Sequence, residues 1–177
     1  MKTPMSIVCF SVWALLLSAL AAEEAKPAAD WRIELVPSRY STGKGAVLYA
    51  TKPLDTFYII LHNTSGKDLR LWRDWCSWGY DNLRLEATLA DGQVVQLSKR
   101  AKEWDKNYPD VFTVAAGKSH VLEVHLGGQL WQGVKQLPEE PFQLVVHYQI
   151  DPSKEGERRK IWIGKLRSEP LTVTLRQ

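Results

Sequence analysis

From Trp31 onward, apolar and polar side chains alternate with a period of two along most of the chain. Leu83, Leu85, Ala87 and Leu89 fall on one side of an extended segment, with Arg84, Glu86 and Thr88 on the other. That is the pattern of a strand with one face in a core and one in water. Phe142, Leu144, Val146, Tyr148 and Ile150 repeat it, as do Leu171, Val173 and Leu175 against Thr172, Thr174 and Arg176. Further strands are predicted at Trp31–Val36, Val47–Ala50, Phe57–Asn63, Asp68–Trp72, Val94–Ser98, Phe112–Val114, Val121–Leu126 and Ile161–Ile163. Asp91-Gly92 sits between two of these and suits the positive φ of a tight hairpin. Many short strands separated by turn signals, without the period of an amphipathic helix, predict an all-β antiparallel sandwich. The stretches 99–109 and 130–135 each have room for one helical turn.

The N-terminus follows a different rule. Lys2 precedes the apolar run Ile7 to Leu17, which ends in Ala19-Leu20-Ala21. This is the shape of a secretory signal peptide covering residues 1–21. The run is short for a membrane span, and no second segment of that kind follows, so no integral membrane segment is expected. Cys9 lies within the apolar run, away from a cleavage point, and does not read as a lipidation site. Residues 22–30, rich in Ala, Glu, Lys and Pro, read as a flexible leader. Residues 31–177 read as one domain, long enough to bury a core without staples. The expected location is extracytoplasmic, periplasmic or secreted.

Removal of residues 1–21 takes away one positive charge from a formal balance of +3. Lys and Arg are spread along the chain, and Arg158-Arg159-Lys160 follows Glu155 and Glu157 closely. That group reads as a solvated hairpin tip, and nothing calls for nucleic acid. Cys76 would be the only cysteine after processing, so no intramolecular disulfide is expected. It is a small buried apolar residue, or else a reactive thiol or one half of an intermolecular bridge.

Candidate chemistry is thin. No Gly-x-Ser-x-Gly occurs, and Ser119-His120 are adjacent in a strand, where their side chains point to opposite faces. A triad of distant residues stays open, because triads are defined by geometry. The histidines have no metal-ligand spacing with one another or with Cys76, so neither a metal site nor a cofactor is predicted. Glu139-Glu140, between two prolines, diverge in a turn and do not form a glycosidase pair. No catalytic residue is assigned.

The distinctive stretch is Leu71-Trp72-Arg73-Asp74-Trp75-Cys76-Ser77-Trp78-Gly79-Tyr80. Indoles offer large apolar faces with one polar edge, so the cluster is a core plug or a recognition surface. If its loop lies near Trp104 and Tyr108, then Trp72, Trp75, Trp78, Tyr80, Trp104 and Tyr108 are the candidate binding residues. Trp75, Trp78, Trp104 and Tyr108 would form a platform flanked by Arg73, Asp74 and Asp105, suited to sugar rings or peptides. The expected function is a secreted, non-catalytic binding or envelope-associated structural module of unassigned ligand. The alternatives are a carbohydrate-binding module, with an envelope polysaccharide as its partner, and an inhibitor- or chaperone-like sandwich that meets an envelope protein by a loop or an edge strand.

Three segments carry a resemblance: His62-Asn63-Thr64-Ser65-Gly66-Lys67 at a strand end, Ala115-Ala116-Gly117-Lys118-Ser119 before Val121–Val124, and the final Ile161–Val173 hairpin. They resemble segments of bacterial immunoglobulin-like domains. The tryptophan cluster followed by Lys106-Asn107-Tyr108-Pro109-Asp110 resembles a group of uncharacterised secreted bacterial proteins with such a domain. The resemblance covers most of residues 31–177 and implies a single immunoglobulin-like antiparallel β-sandwich and its compartment. It implies no activity.

Overall fold

A computed structural model describes residues 30–41, 45–49, 56–127 and 129–176. The predicted signal peptide and all of the predicted leader but Asp30 lie outside them. The strands are β1 (Trp31–Val36), β2 (Arg39–Ser41), β3 (Gly45–Tyr49), β4 (Phe57–Asn63), β5 (Leu69–Trp72), β6 (Leu83–Thr88), β7 (Val94–Lys99), β8 (Val111–Val114), β9 (Ser119–Val124), β10 (Trp131–Gln132), β11 (Phe142–Ile150), β12 (Gly164–Arg167) and β13 (Leu171–Arg176). Among the described residues two short helices interrupt them, α1 (Ser77–Tyr80) and α2 (Lys154–Arg159).

The strands form three sheets. One has the order β1-β4-β9, one the order β10-β7-β6-β11-β13-β3-β2, and β5 pairs with β8. In the large sheet β12 also pairs with the second half of β11. Among the described strands pairing is antiparallel except between β13 and β3, which run parallel. These two are far apart in sequence and need no hairpin, so the antiparallel rule of short connections does not bind them.

The period of two sets what is buried. Phe57, Ile59 and Leu61 of β4 are fully enclosed while Tyr58 between them is exposed. Leu85 and Ala87 of β6 meet Val146 and Leu144 of β11 across the ladder, all four buried. Side chains from β1, β4 and β9 share one hydrophobic cluster with those of β3, β6, β7, β11 and β13. The three-stranded and large sheets therefore close on a common core. Asp91-Gly92 makes the predicted turn, with Gly92 at φ 85° and Asp91 Oδ1 accepting from the Gln93 N–H.

Elsewhere the chain departs from the prediction. The expected hairpin tip at residues 158–160 is the C-terminal end of α2. Ser153 caps it by accepting from Gly156 N–H at 3.0 Å, and Glu155 pairs with Arg158 and Arg159. An N-cap serine, acids in the first turn and bases in the last stabilise even so short a helix. Ile161 then makes one isolated parallel bridge with Arg70, and the regular strand is β12, three residues later than predicted. The helical turn expected in 99–109 is not formed there. The stretch 130–135 holds strand β10 before a 3-10 turn at Val134–Gln136.

Candidate functional site

Strand β5 ends in Trp72, whose side chain enters the core with 3% of its surface exposed. Trp78 lies against it, ring centres 5.9 Å apart and planes tilted 33°. Between them the chain turns back tightly. Gly79 and Tyr80 N–H both donate to the Cys76 carbonyl, and a Cβ at Gly79 would stand 2.1 Å from the Arg73 carbonyl oxygen. Only glycine permits that approach. Cys76 is a free, buried thiol donating to Arg73 O at 3.2 Å. We expect it to resist a bulky thiol reagent in the native protein and to react once urea unfolds it; rapid native labelling would contradict the enclosure.

Tyr80 is nearly buried and donates to the Arg100 carbonyl at 3.0 Å. Burial, with a smaller contribution from Asp81, raises its hydroxyl above the ordinary range. Trp104 meets it edge-on at 5.5 Å, and the ammonium groups of Lys99 and Lys102 lie over the two rings.

Trp75 and Tyr108 are different. They are 59% and 77% exposed. The Trp75 indole N–H donates to Asp110 Oδ2 at 2.9 Å, and the Arg73 guanidinium lies 4.9 Å from the ring centre. The same guanidinium lies 4.9 Å from the centre of the Phe112 ring. Asn107 fixes the loop beneath by accepting from the Ser77 N–H and donating to the Ser77 hydroxyl. Trp75 and Tyr108 line one open pocket of about 390 Å³ with Lys106, Asn107, Pro109 and Asp110. The six candidate residues thus separate: Trp72 and Trp78 pack together at the core, Tyr80 pairs with Trp104, and Trp75 shares its pocket with Tyr108. The expected four-residue platform is reduced to those last two side chains, because Trp78 and Trp104 find intramolecular ring partners.

Two constellations were not foreseen. A small enclosed pocket of about 90 Å³ is lined by Trp72, Asp74, Lys99, His125, Trp131 and Tyr148 among others. Burial pulls the Lys99 ammonium below its ordinary range, opposed by Asp74 and Asp81, and burial pushes the Tyr148 hydroxyl up. These side chains come from β5, β7, β10, β11 and the segments beside them, so no local motif marks them.

The second is a chain of hydrogen bonds across three strands. The His62 ring contacts Ser119 Oγ at 2.8 Å and Glu34 Oε2 at 3.0 Å, and Arg32 donates to the same carboxylate oxygen at 2.8 Å. Hydrogen bonds from Arg32 and then His62 hold Glu34 below the ordinary carboxylate range. Serine, histidine and acid in that order mimic an acyl-transfer triad. Such chemistry also needs donors converging on an oxyanion. Beside Ser119, the Gly117 and Lys118 N–H groups are committed to Asn63 O and Ala115 O. The set is a cross-strand polar ladder on an open sheet face.

Among the described residues no three His, Cys, Asp or Glu side chains converge to hold a metal ion, and no helix is long and apolar enough to cross a membrane. The chain matches no protein-family model and no curated protein sequence.

Proposed function

We propose that this chain is an extracytoplasmic, immunoglobulin-like β-sandwich that serves as a non-catalytic binding module, with Trp75 and Tyr108 as its contact surface for sugar rings of an envelope polysaccharide. The tripartite pattern of residues 1–21 supports the compartment, and the two sheets closing on one core support the fold. The observation that carries the binding surface is the restraint on Trp75. An indole left largely in solvent is nonetheless held by Asp110 at its edge and Arg73 beside its ring. A fixed, exposed aromatic face loses little entropy when a ring stacks on it. Lys106 and Asp110 in the same pocket supply polar groups for hydroxyls at the rim.

Trp75→Ala and Tyr108→Ala are each expected to weaken retention on insoluble peptidoglycan or soluble envelope polysaccharide about tenfold or more, as central aromatic contacts do. Their melting temperatures should stay near that of the parent. Affinity electrophoresis and pulldown read the first quantity, and thermal unfolding the second. Parent protein that ignores every such polysaccharide, or variants that bind as the parent does, would sink the reading.

A further inference from the structure

Strand β1 is the outer strand of its sheet and pairs only with β4 among the described residues. The hydrogen-bond phase of that pair is fixed by two observations. Thr64 N–H donates to Asp30 O, so Asp30, Arg32, Glu34 and Val36 direct their backbone groups toward β4. Asn63, opposite Trp31, instead uses its N–H and C=O on Lys118 and Gly117. Trp31, Ile33 and Leu35 therefore direct N–H and C=O outward, away from the sheet. A groove of about 610 Å³ runs beside this edge, with residues Leu166 to Leu171 as its far wall. The edge is a template for another extended chain.

The side chains select which chain. Arg32 and Glu34 stand two residues apart on the outer face, bonded to each other at 2.8 Å. An edge guarded by like charges repels its own copy, whereas an Arg-x-Glu edge complements it in antiparallel alignment. Three registers about a two-fold axis keep most of the strand paired with outward groups meeting outward groups. Centring on residue 32 sets Arg32 against Arg32, and centring on 34 sets Glu34 against Glu34. Centring on Ile33 sets each Arg32 opposite the other copy's Glu34, in the non-hydrogen-bonded positions where side chains come closest. The same register lets Trp31 pair with Leu35, Ile33 with Ile33 and Leu35 with Trp31 through the backbone.

We propose that the protein forms a homodimer through β1, in antiparallel register about Ile33, joining two three-stranded sheets into one six-stranded sheet. Sheet continuation satisfies the outward backbone groups, and the paired Arg32 and Glu34 of both copies form a four-charge cluster that fixes the register. This assembly does not involve Trp75 or Tyr108 and stands or falls separately from sugar binding.

Sedimentation velocity on the purified protein from about 1 to 200 µM should show a concentration-dependent dimer, the micromolar range being where edge pairing of this size is detectable. Arg32→Glu alone, or Glu34→Arg alone, sets like charges opposite each other twice per dimer. Each should raise the dimer dissociation constant about tenfold or more. The double variant Arg32→Glu/Glu34→Arg restores opposite pairs and should return the dimer. Circular dichroism and thermal unfolding confirm that each variant is folded. If a single variant fails to fold, the parent decides through salt: the dimer should weaken as ionic strength rises. A parent that stays monomeric throughout, single reversals without effect, a folded double variant that does not recover, or a salt-independent dimer would each overturn the proposal.

Discussion

Trp72→Ala is expected to destabilise the protein by about 3–5 kcal/mol, the range for removing a large aromatic from a core. Trp75→Ala, three residues along, should cost only about 1 kcal/mol, the loss of one exposed hydrogen bond and one cation–π contact. The contrast rests on burial. Trp72 is enclosed, rests on Trp78 and belongs to the core cluster, whereas most of Trp75 lies in solvent. Trp72 also walls the 90 Å³ pocket beside Tyr148 and Trp131. Its removal would merge a new void with an existing one, and framework side chains anchored on several strands cannot collapse to fill both. The penalty scales with the void that stays open. Total stability of a domain this size is about 5–15 kcal/mol, so the variant should be measured by urea unfolding in the cold. A Trp72→Ala midpoint close to the parent's would mean that the cluster is not core.

The longer strands were legible where a buried face repeats every second residue, as Leu83, Leu85 and Ala87 show against Leu144, Val146 and Tyr148, whereas β2 and β10, of three and two residues, are too short to show a period. Such a pattern needs no knowledge of the partner. Helix α2 does not stand out in the sequence although its marks are local: the Ser153 cap, Glu155 in the first turn and Arg158 and Arg159 in the last. They have the look of a charge run because six residues are too few to show a helical period. The parallel pairing of β3 with β13 could not be read at all, since it joins strands more than a hundred residues apart. The candidate site divides in the same way. The aromatic residue types were visible, but spacing by three does not say which of Trp72, Trp75 and Trp78 turns inward. That is decided by Gly79, whose missing Cβ lets the loop close on Arg73 O. The meeting of Trp75 with Tyr108 depends on Arg73 N–H reaching Asp110 O and on the Trp75 bond to the Asp110 carboxylate, contacts between residues distant in the chain. A strand-edge charge pair such as Arg32 and Glu34 is also visible in sequence, but its meaning depends on knowing that β1 is an edge.

Asn63 should carry the other large effect, and the sign of its pH dependence separates it from ordinary surface acids. The side chain is 2% exposed where β4 leaves its sheet. Its amide nitrogen faces the carbonyls of Lys67, Val114 and Ala115 at 2.9, 2.9 and 3.1 Å, and its oxygen accepts from Ser65 N–H and Ser65 Oγ. Two amide hydrogens serve three acceptors, so one bond is shared. Asn63→Ala leaves those carbonyls and the Ser65 donors without their partner, at an expected cost of about 2–4 kcal/mol for several buried groups. Asn63→Asp keeps the shape but turns a donor edge into a carboxylate oxygen facing three carbonyls. At neutral pH it should cost more than alanine, since a buried charge opposed by dipoles is worse than a gap. Both effects raise the folded-state pKa of the new acid above its unfolded value. The folded state then binds more protons than the unfolded state between the two pKa values, so stability rises as pH falls through the folded pKa. Asn63→Asp should therefore recover stability between about pH 7.5 and pH 4.5 relative to Asn63→Ala, whose deficit has no titrating group behind it. Parallel urea titrations of the two variants at both ends of that range would test it. An Asn63→Asp deficit that stays constant or grows toward acid would show that its carboxylate does not face those carbonyls.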